Sequence, residues 1–141
     1  MQRGKTRTLD AMDTPRQFTF ESSQFPPEAG EDAETNPGIY GKALVAWLSG
    51  QLTAGGYRVR RTIAEDFGRL IQLEDPNFLV YVACASADDT AKEWIVHSFA
   101  EGGWIASVLG RASKRKVLSK VMADVERILQ TSPMIKNLRM N

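Results

Sequence analysis

One cysteine, Cys84, and one histidine, His97, are all the chain holds of either residue. A single thiol excludes an internal disulfide framework and any zinc site built on several thiolates. A single imidazole excludes every two-histidine metal motif. No apolar stretch approaches the ~20 residues needed to cross a bilayer as a helix. The opening MQRGKTRTLDAMDTPR is basic but lacks the apolar core of a secretory signal. Neither Gly55-Gly56 nor Gly102-Gly103 sits in a strand–GxxxxGK–helix context, so neither pair is a phosphate loop. No acidic stretch follows the alternating oxygen pattern of a calcium loop. These absences lead us to expect a cytoplasmic protein with no cofactor, no metal and no membrane association.

What is present suits one globular domain. The 141 residues are 43% hydrophobic, 25% charged and 9% aromatic, ordinary proportions for a folded chain. At this length folding buries roughly two-thirds of the surface of the unfolded chain, enough for a core without cross-links. Net charge is +1, but it is unevenly distributed. Residues 17–101 carry six basic and thirteen acidic groups, a net of −7, whereas residues 102–141 carry eight basic and two acidic groups, a net of +6. Such segregation marks either a partner surface or an acidic half folded against a basic helix.

Residues 1–17 lack periodicity and read as a disordered leader. Residues 18–36 read as an extended acidic arm. Phe18, Phe20 and Phe25 would pin it, Pro26-Pro27 would keep it extended, and Glu28, Glu31, Asp32 and Glu34 would face solvent. Asn36 as cap and Pro37 at the first helical position predict a helix over 37–54, with Tyr40, Leu44, Trp47, Leu48 and Leu52 on its apolar face. Four strands are expected over 57–63, 69–74, 78–85 and 92–99, joined by short turns. A brief apolar piece over 104–109 ends at Gly110. A last helix over 113–130 then carries Val117, Leu118, Val121, Met122, Val125, Ile128 and Leu129 as its stripe. The fold class expected is α+β: a four-stranded antiparallel meander with N-terminal and C-terminal helices packed on one face, residues 18–141 forming a single domain.

Three chemistries deserve weighing. An imidazole beside Cys84 would lower the thiol pKa and make a nucleophile, so Cys84 with His97 is the candidate for a small thiol-dependent enzyme. A hairpin closed between Ala85 and Lys92 would set Cys84 opposite Glu93 and His97 opposite Val80, on one face but about 13 Å apart at ~3.3 Å per residue. Paired acids (Glu65-Asp66, Glu74-Asp75, Asp88-Asp89) fall in turns, where adjacent carboxylates face water. The basic run Arg111, Lys114, Arg115, Lys116 and Lys120 would neutralise several phosphates. It lacks interleaved aromatics for base stacking, and a solvated helix start explains it equally well.

The stretch from Phe20 to Leu52 resembles the opening of a group of short, mostly proteobacterial proteins of unknown function. The resemblance rests on Phe20-Glu21-Ser22-Ser23, Phe25-Pro26-Pro27-Glu28, Asn36-Pro37-Gly38, Tyr40-Gly41-Lys42-Ala43-Leu44 and Trp47-Leu48. It implies a bacterial, single-domain α+β protein and assigns no reaction. Because an aromatic, proline-paired, acidic arm is costly to order unless it packs on something, the function expected is non-catalytic. The chain would hold another bacterial protein as an adaptor, chaperone-like or immunity/inhibitor-type factor, through Glu28, Glu31, Asp32 and Glu34. The thiol enzyme and a nucleic-acid-binding protein using residues 111–120 are the alternatives.

Overall fold

The computed structural model describes residues 17–102 and 104–141, with residues 104–109 as backbone alone. Along this stretch run β1 (Gln17–Glu21), a single 3-10 turn (Glu31–Ala33), α1 (Lys42–Ala54), β2 (Val59–Glu65), β3 (Gly68–Leu73), β4 (Leu79–Ser86), β5 (Glu93–Glu101), α2 (Trp104–Thr131) and β6 (Lys136–Met140). The strands form one antiparallel sheet in the order β2-β3-β4-β5-β1-β6. The α+β class expected from the sequence is therefore present, with six strands in the sheet rather than four. The meander β2 to β5 is extended on one side by β1 and β6.

Helices α1 and α2 share one apolar core with the sheet. Leu44, Leu48 and Leu52 of α1, and Val121, Val125 and Leu129 of α2, are buried together with Phe18, Phe20, Ile71, Val82, Trp94 and Val96. The three- and four-residue spacings of both stripes account for this, since they place apolar side chains along one helical face. Gly110 interrupts α2 with a φ of +84°, a conformation that costs glycine little. The other sheet face carries a smaller cluster of Leu70, Tyr81 and Ala83, flanked by Ile63 and Phe99.

Four expectations need correction. Gln17, read as leader, and the start of the arm form β1, which pairs with β5 in the register Phe18↔Val96 and Phe20↔Trp94. The expected leader otherwise falls on residues 1–16, outside the described residues. The last residues, given no element from their pattern, form β6 against β1. Helix α1 starts at Lys42, five residues after Pro37. Asn36-Pro37-Gly38 instead makes a turn, in which Ile39 N–H donates to Asn36 O (2.9 Å) and Gly38 takes a φ of +81°. Finally, β4 and β5 pair in the register Cys84↔Val96 and Ala83↔His97, not Cys84 with Glu93. β4 keeps Ser86, which pairs with Trp94, so the connection moves to residues 87–92 and the register shifts with it, while Ala87 N–H bonds Glu93 O.

Candidate functional site

An open groove of ≈ 610 Å³ lies where the α1–β2 connection meets the β3–β4 turn. Tyr57, Leu73, Pro76, Phe78 and Leu79 supply apolar surface, while Arg58, Arg60, Glu74 and Asp75 supply charge. Local backbone bonding builds both walls. On one side, Tyr57 N–H donates to Leu52 O (3.0 Å), which brings the chain off the end of α1, and Glu74 N–H donates to Arg58 O (2.9 Å). On the other, the Asp75 carboxylate accepts from the N–H groups of Asn77 (3.0 Å) and Phe78 (3.1 Å), a local aspartate turn. Phe78 is buried, whereas Leu79 remains 40% exposed, a large apolar side chain left facing water.

Helix α2 secures the groove from behind. The Tyr57 hydroxyl donates to Asp124 Oδ2, Lys120 Nζ lies 3.0 Å from the same oxygen, and Arg127 Nη1 lies 2.8 Å from Oδ1. Lys120 Nζ also sits 4.9 Å from the centre of the Tyr57 ring, a cation–π contact. Burial alone would raise the Asp124 pKa. The hydrogen bonds from Tyr57, Lys120 and Arg127 outweigh it and hold the carboxyl down at about 2. A folded-state value below the ordinary carboxylate range means that the fold favours the ionised form. Its stabilisation is complete above about pH 4 and fades as the pH falls toward 2. Asp124→Asn is therefore expected to lower the urea midpoint at neutral pH, and the gap to the wild type should close between pH 4 and pH 2. A gap that stays constant over that range would remove this assignment.

The four carboxylates of the acidic arm are all engaged within the molecule. Glu31 is buried: its Oε1 accepts Glu28 N–H (2.8 Å), and its Oε2 accepts Gly41 N–H (3.1 Å) and Lys42 N–H (3.0 Å) at the start of α1. A carboxylate from a distant segment thus caps the helix, where the unpaired N–H groups and the dipole favour negative charge. Glu34 receives a 2.8 Å bond from Arg69 Nη2, which lowers the glutamate's pKa. Asp32 accepts Gly38 N–H (3.0 Å), and Glu28 pairs with Lys42 at 2.9 Å. Arg69, on the helix-bearing face of β3, also donates to Glu31 O (3.1 Å), so one buried guanidinium anchors the whole turn.

Cys84 and His97 are not brought together. Cys84 shares a row with Val96 inside the main core, and burial pushes its thiol pKa up. His97 shares the next row with Ala83, and neighbouring rows point to opposite faces of a sheet. It is half-buried beside Phe99, with ring centres 6.0 Å apart, and burial lowers its pKa. A thiolate nucleophile needs the reverse environment, exposed and near a cation. The basic run lies on α2 beyond the Gly110 break, where Lys120 is tied to Asp124 and Tyr57 rather than presented alone.

The groove residues were not singled out from the sequence, because they come from two turns distant along the chain. One signal was present. Arg58, Arg60 and Arg61 are half of the six basic residues in the acidic stretch 17–101, gathered into four positions. No protein-family model, curated protein or solved structure matches the chain.

Proposed function

We propose that this chain is a non-catalytic protein-binding module of the bacterial cytoplasm, of the adaptor, chaperone-like or immunity/inhibitor kind. It holds its partner in the groove between Tyr57 and Leu79. The observation that carries this reading is the form of the groove: open, with the apolar side chains of Tyr57, Leu73, Phe78 and Leu79 beside two arginines and two carboxylates. Sites for small molecules enclose most of their ligand, whereas an open trough of mixed apolar and charged lining suits a side chain or segment of another protein. The arm contributes indirectly. Its carboxylates hold α1 and the sheet in place, and the exposed Glu28 and Glu34 are the two left nearest to solvent.

Affinity capture from a bacterial lysate, comparing the wild type with Leu79→Asp and Glu28→Gln, tests the reading. Leu79→Asp is expected to deplete a retained protein at least tenfold in mass spectrometry, and Glu28→Gln to leave it unchanged. Retention that is indifferent to Leu79→Asp but lost in Glu28→Gln would shift binding to the arm. Retention indifferent to both would remove the proposal.

A further inference from the structure

Among the described residues, strand β2 forms one edge of the six-stranded sheet, hydrogen-bonded on one side to β3. An edge strand leaves a row of backbone N–H and C=O groups unpaired, a template on which another extended chain can add. The register slips between Val59 and Arg61, which face Leu73 and Gln72, so Arg60 is the extra residue of a bulge. Bulges redirect side chains at sheet edges.

Arg60 and Arg61 of this edge have no carboxylate partner among the described residues. Arg60 makes no ion pair and no side-chain hydrogen bond among the described residues. The Arg58 side chain, just before β2, is 85% exposed and pairs with Glu74 at 3.9 Å. Arg61 donates through Nε to the neutral Gln72 amide (2.9 Å), leaving its charge without a carboxylate partner. The opposite edge differs. On β6, Arg139 pairs with Glu93 at 2.9 Å and bonds Thr19, and Asn137 bonds Glu21. β6 keeps Lys136 without an ion pair among the described residues, whereas on β2 both Arg60 and Arg61 lack a carboxylate partner there.

We propose that β2 is a pairing edge for an acidic, extended segment of a partner protein, which adds as a further strand and seats an apolar side chain in the groove beside Tyr57, Phe78 and Leu79. The inference rests on the groove reading and gives the partner's chemistry. Arg58, Arg60 and Arg61 gather at the start of this edge, with Glu65 at its far end, and repel a cationic segment, as edge charges do where natural sheets block unspecific pairing. The same charges attract carboxylates that project alternately from an added strand. Arg58 and Arg60 line the groove as well as the strand, so both elements engage one segment at once.

The test uses the full chain, labelled with nitrogen-15, and short synthetic peptides that alternate glutamate with valine and carry one phenylalanine near an end. A peptide with lysine in place of glutamate serves as control. The acidic peptide should shift the amide signals of Val59 to Glu65 and slow their hydrogen exchange, and the lysine peptide should do neither. Arg58→Glu with Arg60→Glu should weaken binding at least tenfold, while Arg58→Lys with Arg60→Lys retains most of it. The inference is overturned if the acidic peptide leaves these amides unmoved, if its binding survives the charge reversal, or if oligodeoxythymidylate moves the same amides equally well. An acidic peptide that fails while Leu79→Asp still abolishes capture removes the edge inference and leaves the groove reading standing.

Discussion

Glu31→Ala is expected to cost about 3–5 kcal/mol of folding stability, the scale seen when one member of a buried ion pair is removed. The residue is 3% exposed, yet it carries a carboxyl group. Its loss strands the N–H groups of Glu28, Gly41 and Lys42, and leaves the Arg69 guanidinium, whose Nε stands 3.8 Å from Glu31 Oε2, buried beside a void. Urea unfolding followed by circular dichroism would measure the loss. Glu31→Gln keeps an acceptor oxygen toward the helix and should lose less. Arg69 keeps its 2.8 Å bond to Glu34 in the Glu31→Ala variant, so adding Arg69→Leu to it should deepen the loss rather than recover it. Should Glu31→Ala fall within about 1 kcal/mol of the wild type, the view of this carboxylate as the lock between arm, helix and sheet is wrong.

Trp94→Ala should be comparably damaging, about 3–5 kcal/mol for a large ring removed from a packed core. Trp94 is fully buried, its Nε1–H donates to Ser22 O (3.1 Å), and its ring meets the edge of Phe25 with centres 5.9 Å apart. Phe25 rests in turn on Trp47 at 5.4 Å, so the ring of β5 joins the arm to α1. Trp94→Phe retains most of the apolar contact but leaves the Ser22 carbonyl unpaired, a smaller loss of about 1–3 kcal/mol. Limited proteolysis gives a second readout, since the Ala variant should be cut faster around Pro26 to Gly30. Equal losses in the two variants would mean that the hydrogen bond, and not the bulk of the ring, holds the arm.

The elements that rest on their own periodicity were legible in the chain. FLVYVACA announces a strand buried on both faces, and the stripes of α1 and α2 lie where their spacing puts them. What was not legible depends on distant partners. Asn36-Pro37 is a sound local helix start, but the helix waits for Gly41 because its cap comes from Glu31 in another segment. Gly68 shows the same dependence at a single atom. A Cβ there would lie 2.6 Å from the Cys84 carbonyl oxygen, so the residue is small because of a strand that comes later in the chain. Of the candidate site, Arg58, Arg60 and Arg61 stand close together in the sequence, but nothing there ties them to residues 73–79 across the groove. That Arg60 and Arg61 have no carboxylate beside them emerges only when the acids that pair with Arg58, Arg69 and Arg139 are seen in place.

The place of β1 in the sheet bears on how the protein is made. Its residues leave the ribosome before those of the other strands, but its two neighbours are β5 and β6, and Asn137 reaches Glu21 across 116 positions of chain. Joining segments so far apart is the slow part of building such a sheet. Until β5 is translated, Phe18 and Phe20 have no strand to pair with. The segment made first is therefore among the last to settle, and two phenylalanines stay uncovered on the nascent chain through most of its synthesis.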